Sequence, residues 1–240
     1  MRFMILAKKN FKEIFLDYIS LVFAIALPIV MLLILQTFGR VESFFNPTNL
    51  TPGIVVFGFA MISLSSCMTL ARDRDSALLS RLLTAPLSAN DFILAYSLPY
   101  VPVVIMHIVV LFGTGGLLGL EISGNAGLVL LILFVMSIGY IGLGMILGSV
   151  FTYKAVPIAW QAVNLLTIFS GAWFSLEIIG GGIQSIMNAL PFAHAIGAAR
   201  DVMVQGVGFS DIATDFYWVL GYTVVFVALG IFLFRRRMME

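Results

Sequence analysis

The chain has 240 residues, of which 61% are hydrophobic and only 10% charged, and its mean hydropathy is +1.08. Soluble domains carry roughly 25% charged residues, so water is not the main solvent here and an all-α polytopic membrane protein is expected. A formal net charge of +1 gives no reason to expect nucleic acid as a partner, a lone Cys67 excludes an internal disulfide, and two histidines with one cysteine leave little for a metal site.

Residues 1–17 mix Arg2, Lys8, Lys9, Lys12, Glu13 and Asp17 with Phe3, Ile5, Leu6, Phe11, Ile14 and Phe15. That pattern predicts a helix lying in the membrane interface, with lysines toward anionic headgroups. The apolar run that follows is as long as a full span and no small-residue cleavage site closes it, so it is read as a retained span and not as a signal peptide. Six transmembrane helices are predicted, over 18–38, 52–70, 92–118, 127–150, 156–177 and 216–234, each near the ~20 residues that the hydrocarbon core requires. Pro99 and Pro102 predict a kink or break near the start of the third.

Between the second and third spans, residues 71–91 form a charged segment wedged between apolar ones. Leu78, Leu79, Leu82 and Leu83 fall on one side of a helix, with Arg74, Asp75 and Arg81 off that stripe. Pro86 ends this helix, and Ser88 with Asp91 stand at capping-box spacing for the next one. A short amphipathic helix held between two spans is either a surface for another protein to push on or a solvated loop resting on the lipid. Before the last span, 180–208 reads as an outer loop or re-entrant segment: Ile183–Leu190 is apolar but too short to cross, with Gly180–Gly182 as the bend and Pro191 as the stop.

Of the thirteen Lys and Arg, all but Arg40 and Arg200 fall on one side if the N-terminus is cytoplasmic. Basic residues favour the cytoplasmic side, so a cell-membrane protein with both termini inside is expected, and the 71–91 segment is then cytoplasmic. The whole chain, 1–240, reads as one transmembrane domain, with no repeat and no soluble domain.

The run Arg72-Asp-Arg-Asp-Ser-Ala-Leu-Leu-Ser-Arg-Leu-Leu-Thr-Ala-Pro-Leu-Ser88 resembles the cytoplasmic segment after the second span in ABC-2 type permeases, the membrane subunits of ABC exporters, where it often reads ERE-x-GTLE-x-LLATPLS. A second match lies at Ser170-Gly-Ala-Trp-Phe-Ser175, followed by Leu190-Pro-Phe192, Arg200 and Gly206, which looks like the family's SG-x-x-F-P motif and the short outer segment after it. The chain departs from the pattern at Leu78, Ser80 and Ser175, and at Ala95-Tyr96 where the family has Gly-Lys. The resemblance implies that Arg74, Leu78, Leu79, Arg81, Leu82, Leu83 and Pro86 couple the chain to a separate cytoplasmic ATPase. That subunit would bind ATP and Mg, while this chain binds no cofactor. The resemblance also implies pairing with a second copy or a paralogue, within membrane lipids.

The chemistry in the sequence fits that division of labour. No Gly-x-x-x-x-Gly-Lys-Ser/Thr loop is present, so phosphates have no cradle here. Ionisable residues inside spans would mark a proton or ion relay; apart from His107 they fall near span ends, and a neutral His107 bonded to a neighbouring helix is the favoured reading. A substrate path needs polar or small side chains, and Ser63, Ser66 and Thr69 of the second span with Gln161, Asn164 and Thr167 of the fifth are the candidates. Such residues equally serve as interhelical hydrogen bonds, and Gly115/Gly119 and Gly144/Gly148 as packing contacts. Glu177 and Arg200 are candidates for an outer gate, or for solvated loop charges. The function expected is a permease subunit of an ATP-driven exporter of an apolar or amphipathic substrate such as a lipid or antibiotic. A secondary transporter would need a mid-membrane acid, which the sequence lacks. An intramembrane hydrolase would need a Gly-x-Ser-x-Gly, His-Glu-x-x-His or paired aspartates, also lacking. A non-transporting accessory subunit would carry the same docking helix.

Overall fold

The computed structural model describes residues 3–76 and 89–238. Among them the chain is helical throughout, as lipid requires of a segment that must satisfy its own backbone N–H and C=O groups.

The first helix, α1 (Phe3–Leu16), buries Leu6, Asn10 and Ile14, one stripe at four-residue spacing. α2 (Tyr18–Leu35) continues as a tighter turn through Arg40. α3 (Pro47–Asp75) is 29 residues long and longer at both ends than the sequence predicts. Its start is set by Asn46, whose side chain accepts from the Asn49 N–H, and by Pro47 in the first turn, where a missing N–H removes no helical bond. The predicted third span is α4 (Ala89–Ser97) and α5 (Tyr100–Leu117), broken at Leu98–Pro99 as the prolines imply. α6 (Ala126–Val150) is capped by Asn125, which accepts from the Gly127 and Leu128 N–H groups.

α7 (Val156–Thr167) opens into a wide turn over Ile168–Ala172, in which Gly171 has a φ of +89°. Short helices α8 (Leu176–Ile179) and α9 (Gly181–Met187) follow, bent at Gly180 and Gly181, whose φ values of +62° and +58° glycine alone adopts freely. Pro191 then opens α10 (Pro191–Gln205), and α11 (Phe209–Met238) ends the described chain.

Among the described residues, five helical segments are long and apolar enough to cross a membrane: Leu21–Arg40, Pro47–Asp75, Asp91–Leu117, Ala126–Val150 and Phe209–Arg236. The protein is an all-α polytopic membrane protein. The fifth predicted span, 156–177, is shorter than expected, because its apolar helix ends at Ala172. Even so, α7 runs beside α3 for most of that helix's length: Val156 packs with Cys67 and Ala71, the Trp160 Nε1–H donates to the Ala60 carbonyl at 2.7 Å, and Ala172 lies over Gly53.

α3 is the centre of the bundle, touched by α2, α5, α6, α7 and α10. Its close neighbours are admitted by glycines. A Cβ on Gly53 would sit 2.1 Å from the Ala172 carbonyl oxygen, and Gly144 and Gly148 of α6 bring that helix against the Ser63 and Cys67 carbonyls. The Gly144/Gly148 pair is thus a packing contact. Gly119 is not: a Cβ added there would meet nothing within 4 Å among the described residues, and its φ of +91° instead turns the chain after α5. α10 carries Phe192, Ala195, Ile196, Ala199 and Val202 into the same core. α2 and α11 are the outer helices. Their outward residues, among them Val22, Phe23, Val30 and Leu33 on one and Val224, Val225, Leu229 and Phe232 on the other, form uniformly apolar faces suited to lipid.

Candidate functional site

The end of α3 reads Arg72-Asp73-Arg74-Asp75 and leads into 77–88. At 3.6 residues per turn, four consecutive side chains leave a helix in four directions, and here Arg72 and Asp73 meet α1 and α4 while Arg74 and Asp75 meet the end of α6 and the turn after it. Asp73 is only 5% exposed at its side chain and accepts from Lys9 Nζ of α1 at 2.9 Å and from the Tyr96 hydroxyl of α4 at 2.8 Å. Lys9 also pairs with Glu13, one turn on, and Glu13 reaches Arg72 at 3.3 Å. Asn10 donates to the Ala95 carbonyl, fixing α1 to α4 a second time.

On the opposite side of α3, Arg74 donates to the Gly148, Ser149 and Phe151 carbonyls. The last carbonyls of a helix have no intrahelical partner, and a guanidinium there satisfies them while opposing the helix dipole; Arg74 therefore caps α6. Asp75 completes the seal by accepting from the Tyr153 N–H at 2.8 Å. The charged tail of α3 is bolted to α1 and α4 on one flank and to the α6–α7 turn on the other. Of the seven residues that sequence assigns to coupling, Arg74 is placed in this joint; Leu78, Leu79, Arg81, Leu82, Leu83 and Pro86 lie outside the described residues.

The other end of the bundle holds a second arginine cap. Gly171 breaks the helix after Ser170 and frees the Gly171 and Ala172 carbonyls, and Arg200 of α10 donates Nη2 to both, at 2.8 and 3.5 Å. Its Nε–H reaches the Asn49 carbonyl in the first turn of α3 at 2.7 Å, and its guanidinium lies 4.8 Å from the centre of the Phe44 ring. Burial pulls the guanidinium down to about 10, with Asp201 beside it opposing that shift, and at that value the arginine still carries its charge at neutral pH. Burial is also the leading reason the Asp201 carboxyl is raised. Glu177 stands exposed in the first turn of α8, which Ser175 caps, and forms no ion pair with Arg200 among the described residues. Nearby, His194 bridges the Asp215 carboxylate at 2.5 Å and the Asn188 carbonyl at 2.8 Å, stacked flat on the Trp218 indole, and so ties α10 to α11.

The six candidate path residues do not line one surface. Ser63 returns its hydroxyl to the Ala60 carbonyl, and Ser66 is buried against Gly144 of α6. Thr167 bonds the Tyr140 hydroxyl of α6 at 2.6 Å, and Thr69 bonds the Tyr100 hydroxyl of α5 at 3.0 Å. Gln161 and Asn164 are hydrogen-bonded to each other on the outward side of α7, beside the exposed Ile158, Leu165 and Phe169. His107 is fully buried; its Nε2–H donates to the Val55 carbonyl at 3.2 Å, which is the interhelical role the sequence favours.

The joint residues Lys9, Asp73 and Tyr96 do not stand out in the sequence as functional. Their only sequence signals are the Lys9/Glu13 spacing of one helical turn and an alternating charge run at the end of an apolar helix. Among the described residues there is no group of three or more His, Cys, Asp or Glu able to hold a metal.

Comparison with known proteins agrees with this architecture. The chain is 24% identical over 205 residues to the inner membrane transport permease YhhJ of Escherichia coli (strain K12), covering 83% of this chain and 52% of that permease, and equally to the Shigella flexneri permease of the same name. It is 22% identical over 189 residues to ABC transporter G family member 20 of Dictyostelium discoideum, which covers 76% of this chain and 26% of that protein. The chain thus spans about half, or less, of the length of these relatives. The ABC-2 type transporter family profile matches residues 1–204, and the chain belongs to that family of membrane permeases.

Proposed function

We propose that this chain is the membrane subunit of an ATP-driven exporter whose motor is a separate cytoplasmic ATPase holding ATP and Mg. In this reading both termini and the 71–91 segment face the cytoplasm, α7 with its wide turn is a sixth crossing, and α8 to α10 form an outer, partly re-entrant segment. The cargo is apolar or amphipathic, a lipid or an antibiotic.

The observation that carries the reading is the joint at the end of α3. Were 77–88 a passive loop, the residues leading into it would need no anchorage. Instead each of four consecutive charges is tied to a neighbouring element, Arg72 and Asp73 to side chains more than fifty residues away in sequence or on α4, and Arg74 and Asp75 to the backbone at the end of α6 and in the α6–α7 turn. A push on the leucine face of 78–83 is thereby delivered to the central helix, to α1 and to α6 together. Half-exposed pairs such as Arg72–Glu13 contribute about 0–1 kcal/mol. The nearly buried Asp73 is different, since leaving such a carboxylate without partners costs far more, and it is the rigid point of the joint.

Gln161 and Asn164 support a second copy. Polar residues on a membrane helix face protein or water in preference to hydrocarbon, and the outward surface that holds these two therefore belongs against another chain. The direct test is capture of the tagged protein from mild detergent, scored for a co-purifying ATPase. Wild type should bring one down, and Leu82→Glu and Leu83→Glu should lose it while keeping the wild-type melting profile. No ATPase with wild type, under conditions that preserve membrane complexes, would move the accessory or gradient-driven readings ahead.

A further inference from the structure

The apolar residues of α1 occupy two faces, not the single one that a helix resting on lipid requires. Leu6 and Ile14, with Asn10 between them, are turned into the bundle. A second stripe, Met4, Phe11, Phe15, Tyr18 and Val22, is exposed, at spacings that keep side chains on one helical face. It does not end where α1 ends. The Asp17 N–H donates to the Glu13 carbonyl at 2.9 Å and the Leu21 N–H to the Asp17 carbonyl at 3.1 Å, so helical bonds carry the stripe into α2 and its membrane span. Phe11 and Phe15 are already paired, with ring centres 4.5 Å apart.

The charges of α1 divide in the same way. Lys9 is committed to Asp73 and Glu13, and Glu13 also to Arg72. Asp17 lines the cleft between α2 and α3. Lys8 falls in the outward stripe, between Met4 and Phe11, and Lys12 stands one turn further on, beside Phe15. Both are exposed, and neither forms an ion pair or hydrogen bond among the described residues. The stripe itself contains no acid. Rings and a thioether on such a face suit acyl chains, while lysines extend their ammonium ends to the headgroup layer. A zwitterionic surface leaves those two cations uncompensated, and an anionic one neutralises them. An acidic protein would also supply the counter-charge, but the unbroken run of the stripe onto a lipid-facing span favours the leaflet.

We propose that the outward face of α1 binds anionic phospholipid in the leaflet at the Asp73 end of the bundle. Lys8 and Lys12 take the phosphates, and Phe11 and Phe15 enter the acyl layer beneath them. Binding stands apart from the transport reading; only its regulatory consequence rests on that reading. Lys9 of the same helix holds Asp73, and Asn10 holds the Ala95 carbonyl. A leaflet that keeps α1 in place therefore also steadies the joint that receives the push, and its content of anionic lipid sets how firmly.

The test places the full chain in vesicles of phosphatidylcholine alone or of an equal mixture with phosphatidylglycerol, without ATPase or nucleotide. Hydrogen–deuterium exchange is followed by mass spectrometry over 3–16 and, for comparison, over α6. Each lysine near an anionic surface contributes about fivefold to the local equilibrium. Phosphatidylglycerol should therefore slow exchange over 3–16 on the order of 25-fold and leave α6 unchanged. Salt at about 1 M, where the screening length is about 3 Å, should remove most of that effect. Lys8→Gln/Lys12→Gln should lose the response while α6 exchanges as in wild type, and the wild-type comparison needs no variant to fold. Phosphatidylglycerol with a photoreactive acyl chain should mark the peptide holding Phe11 and Phe15; no adduct there would overturn the insertion. Equal exchange over 3–16 in the two vesicles would overturn the lipid and turn this face over to an acidic protein surface. A response that survives in the double variant would overturn the lysine assignment. Since no ATPase is present, a failed ATPase capture leaves this result standing, and a failed exchange response leaves that capture standing.

Discussion

Gly58 has no side chain because the His107 ring fills the space where one would be: a Cβ there would lie 2.0 Å from His107 Cε1. Gly58→Ala should therefore overpack the α3–α5 contact and cost about 1–3 kcal/mol, read as a lowered melting midpoint in detergent. The cause is specific, so it has a specific rescue. In a Gly58→Ala/His107→Ala double variant the clash is gone, and the loss should be smaller than the sum of the single losses by about 0.5–3 kcal/mol; strict additivity would mean the glycine is there for another reason. Arg200 poses the converse problem, a group that others depend on. It serves carbonyls on two separate elements at once, Asn49 in α3 and Gly171 and Ala172 in the turn after α7. A lysine keeps the charge but not the planar fork, so Arg200→Lys should lower the midpoint by about 1–2 kcal/mol. Arg200→Met should lower it further, since it leaves all three carbonyls short of a donor. Equal midpoints for Lys and wild type would show that charge alone suffices.

At the scale of elements, the joint around α3 separates bonds that hold from bonds that decorate. Asp73→Ala removes the acceptor for both Lys9 and Tyr96 and should cost about 1.5–3 kcal/mol, whereas Arg72→Ala, losing a half-exposed pair, should stay within about 1 kcal/mol; thermal melts of the two variants side by side check this order. If the joint transmits motion, Asp73→Asn should lower transport or nucleotide-coupled ATPase activity more than it lowers the melting midpoint. The elements themselves were unequally legible in the sequence. α6 begins where Asn125 supplies a cap, and the α4–α5 break falls where Pro99 requires it, because both signals are local. The early end of α7 was not legible, since a turn at Ser170–Gly171 is tolerable only when Arg200, thirty residues later, closes over its carbonyls. Arg74 could be recognised as part of a charged run, but its partners are backbone carbonyls of α6, which carry no sequence signature at all. The candidate path residues failed to assemble for the same reason: a hydroxyl in a span reads alike whether it faces a lumen or its own helix, as Ser63 does with Ala60.

For the molecule as a whole, the outer surface divides by chemistry. The outward residues of α2 from Val22 to Leu33 and of α11 from Val224 to Phe232 are apolar and suited to lipid, but α7 presents Gln161 and Asn164 amid Ile158, Leu165 and Phe169. The Asn164 amide donates to the Gln161 Oε1 at 3.2 Å, while its own Oδ1 is buried within the chain and has no partner among the described residues. Facing lipid, the exposed Gln161 amide would lack an acceptor for its N–H groups, at a cost of about 1–3 kcal/mol. Facing the same surface of a second copy it would find one, since a two-fold contact places like residues against each other. Gln161→Cys and Leu165→Cys should therefore form a disulfide-linked species of doubled mass when native membranes are oxidised, while Val224→Cys on α11 should not. Cys67 is buried and should stay silent in both. The reverse pattern would place α11, not α7, between the copies, and the amide pair would then have to serve water in a path through a single chain.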